Sequence, residues 1–399
     1  MKEFPEKGLV FWAVGTGDSV SVCLKRDIVM QVDLHNLDAA DDDDDPRTPI
    51  IDRLKELLPE KDGKPYLSTF VLTHPDLDHC KGFERLLDEV TIGELWFAPR
   101  IFREANDTLC DDAIAFRKEA KRRVKANKAG NTVEAGDRVR IIGYSDILKD
   151  DDDFKDVPAE RFSRPGEEVC EVDGEEYDDF AAFLHAPFKD DDTASERNET
   201  SVAMQVTLTD GQNVGRALLF GDLSYPTLRK VWDVTADHKN QDRLECEVFL
   251  SPHQCSKSVM YDKNDDGKTV LKQDILDDIE NSLVDGGHII ASCDPVPASN
   301  KKGDNPPHAK AKAKYEEIVA IDHFMCTGEH SDSESPQPIR FEFTDDGFSY
   351  VEPEANGETD KEETKSQASR SLSTLAAAIS QSQGNEAPPT QRVGFGQSK

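Results

Sequence analysis

Val71-Leu72-Thr73-His74-Pro75-Asp76-Leu77-Asp78-His79 is an apolar run that breaks into a polar turn. Phe70, Val71 and Leu72 read as the end of a strand, and Pro75 forces the chain to turn after it. His74, Asp76, Asp78 and His79 put four possible metal ligands into six positions. A short loop can aim several side chains at one point. Carboxylates gathered there repel each other unless a cation sits among them, and neutral imidazole is a ready ligand for that cation. The stretch therefore predicts a metal site at the carboxyl end of a strand. The alternative is a polar β–α turn in which Asp78 caps the next helix, but such a turn needs one Asp and no His.

Working outward, Gly8 to Val14 reads as a strand, Gly15 to Ser19 as a turn, and Val20 to Leu24 and Ile28 to Val32 as further strands. Ile50 to Leu58 has helical spacing. Leu67 to Leu72, a helix over Gly82 to Leu87 and a strand over Gly93 to Phe97 form a β-α-β unit, which places the ligand turn where open α/β sheets bind their ligands. Other apolar runs end in polar residues in the same way. Arg216 to Phe220 ends in Gly221-Asp222, and Cys246 to Leu250 ends in Ser251-Pro252-His253. A helix over Ile275 to Val284, a strand over Gly287 to Ser292, a helix over Pro306 to Ile318 and a hairpin around Asp345-Asp346-Gly347 complete the pattern.

His74 to His79 resembles H-x-H-x-D-H, the first signature of hydrolases with the metallo-β-lactamase fold. It is closer still to the T-H-P-x-x-D-H turn of the soluble ComEC-like hydrolase domain. Asp76 stands where the wider pattern has its second His. Val14 to Ser19 with Val32-Asp33 resembles the opening of the same domain. The resemblance implies a four-layer αββα sandwich with two divalent metals, Zn²⁺ or Mn²⁺. His74 and Asp76 would hold the first, Asp78 and His79 the second, Asp222 would bridge them and His253 would complete the second. Replacing an imidazole by Asp76 shifts the expected metal from Zn²⁺ toward Mn²⁺ or Mg²⁺. The third ligand of the first metal is either His185 or the segment Asn198-Glu199-Thr200-Ser201, which resembles the family's N-x-x-S element. Asn198 and Ser201 are thereby expected near substrate, with Asp18 and Ser19 at the floor of the site. His308, in Asn305-Pro306-Pro307-His308, is expected to touch substrate phosphate or the leaving group. Asp78, Asp222 and His308 are the expected catalytic residues. The chemistry implied is hydrolysis by a metal-bound hydroxide, since two cations about 4 Å apart lower the pKa of a shared water toward neutrality.

The chain has 399 residues, 36% hydrophobic, with a net charge of −33. Runs at Asp41 to Asp45, Asp150 to Asp153 and Asp190 to Asp192 read as solvated loops. An acidic surface excludes nonspecific binding of nucleic acid over the whole face. Within a helical insertion over about 102–130, Arg117, Lys118, Lys121, Arg122, Arg123, Lys125 and Lys128 form a basic patch against Glu119. Arg122 and Arg123 are the expected phosphate contacts; the alternative is a solvated face pairing with the acidic loops. An acidic loop covers about 146–180. Residues 1–353 are expected to form the hydrolase domain and 354–399 a disordered tail that could bind a protein partner, with Leu372 to Ile379 as its one apolar stretch, a candidate short helix. The eight Cys form no C-x-x-C pair, Met1-Lys2-Glu3-Phe4-Pro5 is no signal peptide, and no run approaches the roughly 20 apolar residues that cross a bilayer. A cytoplasmic protein with no membrane contact is expected. The leading function is a phosphodiesterase or nuclease acting on nucleic acid or nucleotides. The alternatives are a binding or regulatory subunit of a defence or signalling assembly and a carbon-ester hydrolase, a lactonase or thioesterase. The P-G-H segment of β-lactamases is missing.

Overall fold

The apolar runs alternate faces with period two, and that alternation sorts the strands into two packed sheets. The computed structural model describes residues 1, 3–42, 44–128, 133–190, 196–301 and 305–353, all within one compact unit, Met1–Pro353. The expected tail, 354–399, lies outside the described residues, as do Asp43, Asp191 and Asp192 of the acidic runs.

Among the described residues the first sheet has ten strands, one of them the short Glu60–Lys61, which pairs antiparallel with Lys64–Leu72 beside the main path. Its antiparallel half is built from Gly347–Val351, Ile339–Thr344, Gly8–Phe11, Val20–Lys25 and Ile28–Val32. Its parallel half continues through Lys64–Leu72, Thr91–Phe97, Arg138–Ile142 and Phe162–Ser163. Among the described residues the second sheet has seven strands, with Glu168–Val169, Phe180–Ala186, Ala203–Thr209 and Val214–Leu219 antiparallel, then Cys246–Leu250, Leu283–Ala291 and Phe324–Cys326 parallel. Val71 faces the second sheet and packs in one core with Met204, Val206, Leu219 and Val248. Its neighbours Phe70 and Leu72 face outward, with Ile51, Leu54, Phe83, Phe116 and Val124 from the covering helices. Leu218 and Phe220 likewise face Leu228, Val231, Trp232, Ile275 and Ile279 on the far side of the second sheet. Helices, sheet, sheet, helices: this is the expected four-layer αββα sandwich, held by three apolar layers.

Two regions differ from the sequence reading. The basic insertion is no appendage. Its helix, Asp111–Asn127, buries Ala113, Phe116, Ala120 and Val124 against the first sheet. The acidic stretch 146–180 is not a bare loop either; it carries the short strands Phe162–Ser163, Glu168–Val169, Glu171–Val172 and Glu175–Glu176, and buries Phe154, Val169 and Val172. Two-residue strands are too short to show alternation. The helix Tyr225–Asp237 had no counterpart in the sequence reading, although Pro226 near its start and Leu228, Val231 and Trp232 on its buried face are ordinary helix signals. No helix among the described residues is long and apolar enough to cross a membrane.

Candidate metal centre

Polar residues at the carboxyl ends of strands from both sheets meet at one edge of the sandwich. Asp33 follows Ile28–Val32, and the loop 73–79 follows its parallel neighbour Lys64–Leu72. From the second sheet, Asp222 follows Val214–Leu219 and His253 follows its parallel neighbour Cys246–Leu250. Backbone hydrogen bonds lock these ends together: Val202 N–H to Thr73 O at 2.9 Å, Asp18 N–H to Asp78 O at 3.1 Å, and His253 N–H to Gly221 O at 3.1 Å. Gly221 has φ +53°, and a Cβ there would lie 2.9 Å from Ser201 Cβ, so the turn presenting Asp222 requires glycine.

His74, His79 and Asp222 are buried with ligand atoms all within 4.8 Å of one another. Asp222 faces two ways. Its Oδ1 is 3.1 Å from His79 Nε2, while its Oδ2 is 3.7 Å from both His74 Nε2 and His253 Nε2. Asp76 Oδ2 lies 3.5 Å from His74 Nε2, and Asp78 Oδ2 lies 3.8 Å from His79 Nε2. His253 thus approaches the carboxylate oxygen that faces His74, on the side opposite to the second-metal role that the resemblance implies. Asp78 caps neither neighbouring helix, since Asp76 stands at the N-cap of Leu77–Cys80 and Gly82 at that of Phe83–Glu89.

These residues fit a cation. His74 Nε2 is buried, makes no hydrogen bond, and looks onto two carboxylates. A bare buried imidazole nitrogen is costly unless something binds its lone pair. The ionisation of the neighbours shows the same demand for positive charge. Burial pulls the His79 imidazole down, yet Asp222, Asp33 and Asp78 raise it well above its ordinary value. Burial pushes the Asp222 carboxyl up, yet the imidazoles of His79 and His74 hold it well below the carboxylate range. Asp18, also buried, is raised well above its ordinary value, chiefly by burial. A bound cation supplies the charge that these groups otherwise take from protons.

Behind the ligands stands a layer that the sequence reading missed in part. Asp33 receives three hydrogen bonds, from Thr73 N–H at 2.8 Å, Thr73 Oγ1 at 2.6 Å and His79 Nδ1 at 2.7 Å. The Nδ1 proton of the neutral imidazole is thereby directed to Asp33, and Nε2, the atom facing Asp222, is left with the lone pair. Arg197 pairs with Asp76 Oδ1 at 2.6 Å and holds that carboxylate against the site. We expect Asp33→Asn to lower affinity for Mn²⁺ or Zn²⁺ about 10- to 100-fold, since the amide offers His79 a donor where it needs an acceptor and so turns the imidazole that orients Asp222. Titration against a chelating dye measures this, and an unchanged affinity would remove Asp33 from the centre.

The other predicted residues fall into two groups. Asn198 reaches the centre, its Nδ2 3.5 Å from Asp222 Oδ2. Ser201, fully buried, braces the turn by accepting from Asp222 N–H at 3.3 Å. His308 lies behind the loop that carries His253, donating from its backbone N–H to Cys255 O at 3.1 Å and accepting from Lys257 N–H at 3.2 Å through Nδ1. Ser19 is buried and accepts from Gln31 Nε2 at 2.9 Å. His185 lies in the outer core of the second sheet, hydrogen-bonded to Arg243 O and Thr235 Oγ1, and burial pulls it down to about 4. It lines a cavity of about 410 Å³ with Tyr144, Arg164, Phe183 and Phe188, which contains none of the centre's carboxylates. Arg122 and Arg123 are turned elsewhere: Arg122 pairs with Glu119 and Asp137, and Arg123 is 2% exposed, bonded to Glu119 and to the carbonyls of Ile92 and Gly93.

No family model matches the chain, and no curated protein matches it. Solved structures resemble it, among them the following two. One is a diphosphatase from the PhnP family, with TM-score 0.35 and 10% identity, covering 84% of this chain and 98% of that one. The other is unliganded yeast PDE1, with TM-score 0.36 and 12% identity, covering 78% of this chain and 94% of that one. The four layers and the centre rest on this chain's own strands and side chains, independently of either likeness.

Proposed function

We propose that the chain is a metal-dependent phosphodiesterase whose centre is formed by His74, Asp76, Asp78, His79, Asp222 and His253. The observation that carries this reading is the bare, buried His74 Nε2 facing Asp76 and Asp222 at the edge where both sheets end. A divalent cation there would polarise a phosphoryl oxygen and acidify water. The protein's own contribution is placement. Asp78, a third exposed, is open to solvent and is assigned to take the proton from the attacking water. Asn198 Nδ2 is a donor beside Asp222, available to a substrate oxygen. Leu77, half exposed on the same loop, offers an apolar surface to a base or other leaving group.

The substrate we favour is a nucleotide-sized phosphodiester in place of a long nucleic acid. The basic helix spends most of its charge internally, and among the described residues of the patch only Lys118 and Lys125 are exposed and outside its pairs: Lys121 pairs with Asp153, Arg117 donates to Glu104 O, and Lys128 donates to Asp152 O. With a net charge of −33, little remains to follow a polynucleotide backbone. Purified protein with Mn²⁺ or Zn²⁺ should hydrolyse bis-(p-nitrophenyl) phosphate and linear or cyclic dinucleotides faster than DNA, and EDTA should stop it. Turnover of lactones or thioesters alone would replace the phosphodiesterase reading with a carbon-ester one.

A further inference from the structure

Gln254, beside His253, is 1% exposed and reaches into the centre. Its Nε2 lies 2.9 Å from His79 Nε2 and 2.9 Å from Asp222 Oδ1. Those two atoms are the pair that a second cation would need. Only one orientation of the amide suits both neighbours: the NH₂ group donates one hydrogen to the carboxylate oxygen and the other to the imidazole lone pair. The reversed amide would set its oxygen against Asp222 Oδ1. With a cation on the His74 side supplying the positive charge and the Nδ1 proton committed to Asp33, His79 is neutral and has a single lone pair at Nε2. That lone pair can accept an N–H or bind a cation, but not both.

We propose, building on the metal-dependent reading above, that the Gln254 amide fills the second cation position. The centre then takes one divalent cation per chain, on the side of His74, Asp76, Asp222 Oδ2 and His253. The backbone is shaped to this end. His253, Gln254 and Cys255 have φ of 53°, 48° and 64°, three consecutive left-handed residues, none of them glycine. Each is disfavoured for a residue that carries a Cβ, and such strain persists where surrounding structure over-determines it, typically at functional sites. Here the turn is held by Gly221 O on His253 N–H and by His308 on Cys255 and Lys257. Its product is an amide placed between two ligands.

The test is the number of ions bound. Metal-free full chain, reloaded with Zn²⁺ or Mn²⁺ and passed through a desalting column, should carry one equivalent by elemental analysis. Gln254→His, which supplies an imidazole at the same corner, should carry two, and Gln254→Ala should admit a second ion at weaker affinity by calorimetric titration. Cadmium NMR of the wild-type protein, which needs no variant to fold, should show one resonance. Two equivalents or two resonances in the wild type would overturn the proposal and leave the metal-dependent reading standing. One equivalent in all three proteins would also overturn it, because Gln254 would not be what excludes the second ion. A wild-type chain that binds none would end both readings together.

Discussion

Asp222→Ala is expected to lower phosphodiester hydrolysis by about 10³-fold or more, equivalent to about 4 kcal/mol of transition-state stabilisation. It should also abolish the thermal stabilisation that added Mn²⁺ or Zn²⁺ gives the wild type. The reasoning starts from the two oxygens of this carboxylate. Oδ2 is the one anionic atom placed toward both His74 and His253, and Oδ1 toward both His79 and Gln254. Removing it separates imidazoles that no other described carboxylate approaches together. A ligand that binds only the folded state stabilises it by roughly 2.7 kcal/mol at a hundredfold excess over Kd, so loss of binding appears as a missing shift in melting temperature. Asp222→Asn keeps the shape and removes the charge. If the effect is electrostatic, it should resemble the alanine variant in both measurements. Residual activity within tenfold of wild type in both variants would place the chemistry elsewhere.

The reach and the limit of the sequence follow from how each residue comes to the centre. The loop 74–79 is legible because its ligands are close in the chain and its strand is a plain apolar run. Asp222 and His253 are legible because each ends such a run. Asp33 is visible as a polar strand end, but its partnership with His79 spans 46 positions and depends on the register of two parallel strands. Arg197 leaves no mark at all, since a lone arginine has no periodicity to betray its direction, and Gln254 shows only as an amide where the resembling family has a second His, with nothing to say that it turns inward. Apolar runs and their alternation marked the long strands of an α/β fold, whereas the four-layer arrangement was an expectation of the resemblance alone. The small strands between 162 and 176 went unmarked, because two residues carry no period.

Charge patterning misleads where it is silent about burial, and Arg123 is the case that tests this. Counted along the chain, it belongs to a basic patch suited to phosphate. In the structure it lies on the inward face of the helix Asp111–Asn127. Its Nε donates to Glu119 Oε1 at 2.7 Å, one Nη to Ile92 O at 3.0 Å and the other to Gly93 O at 3.2 Å, so that the helix is fastened to the edge of the strand Thr91–Phe97. Arg123→Ala should therefore destabilise the fold by about 3–5 kcal/mol, the usual cost of removing one partner of a buried charge pair and leaving polar groups unmet. Against a total stability of order 5–15 kcal/mol that is a large fraction, readable as a lower urea midpoint at constant slope. Arg122, whose side chain is half exposed, should cost no more than about 1 kcal/mol when replaced by alanine. Per folded molecule, neither change should alter KM for a dinucleotide. The opposite pattern, unchanged stability in both variants with a KM raised tenfold or more, would return these arginines to the substrate and reopen the case for a polynucleotide track along this helix.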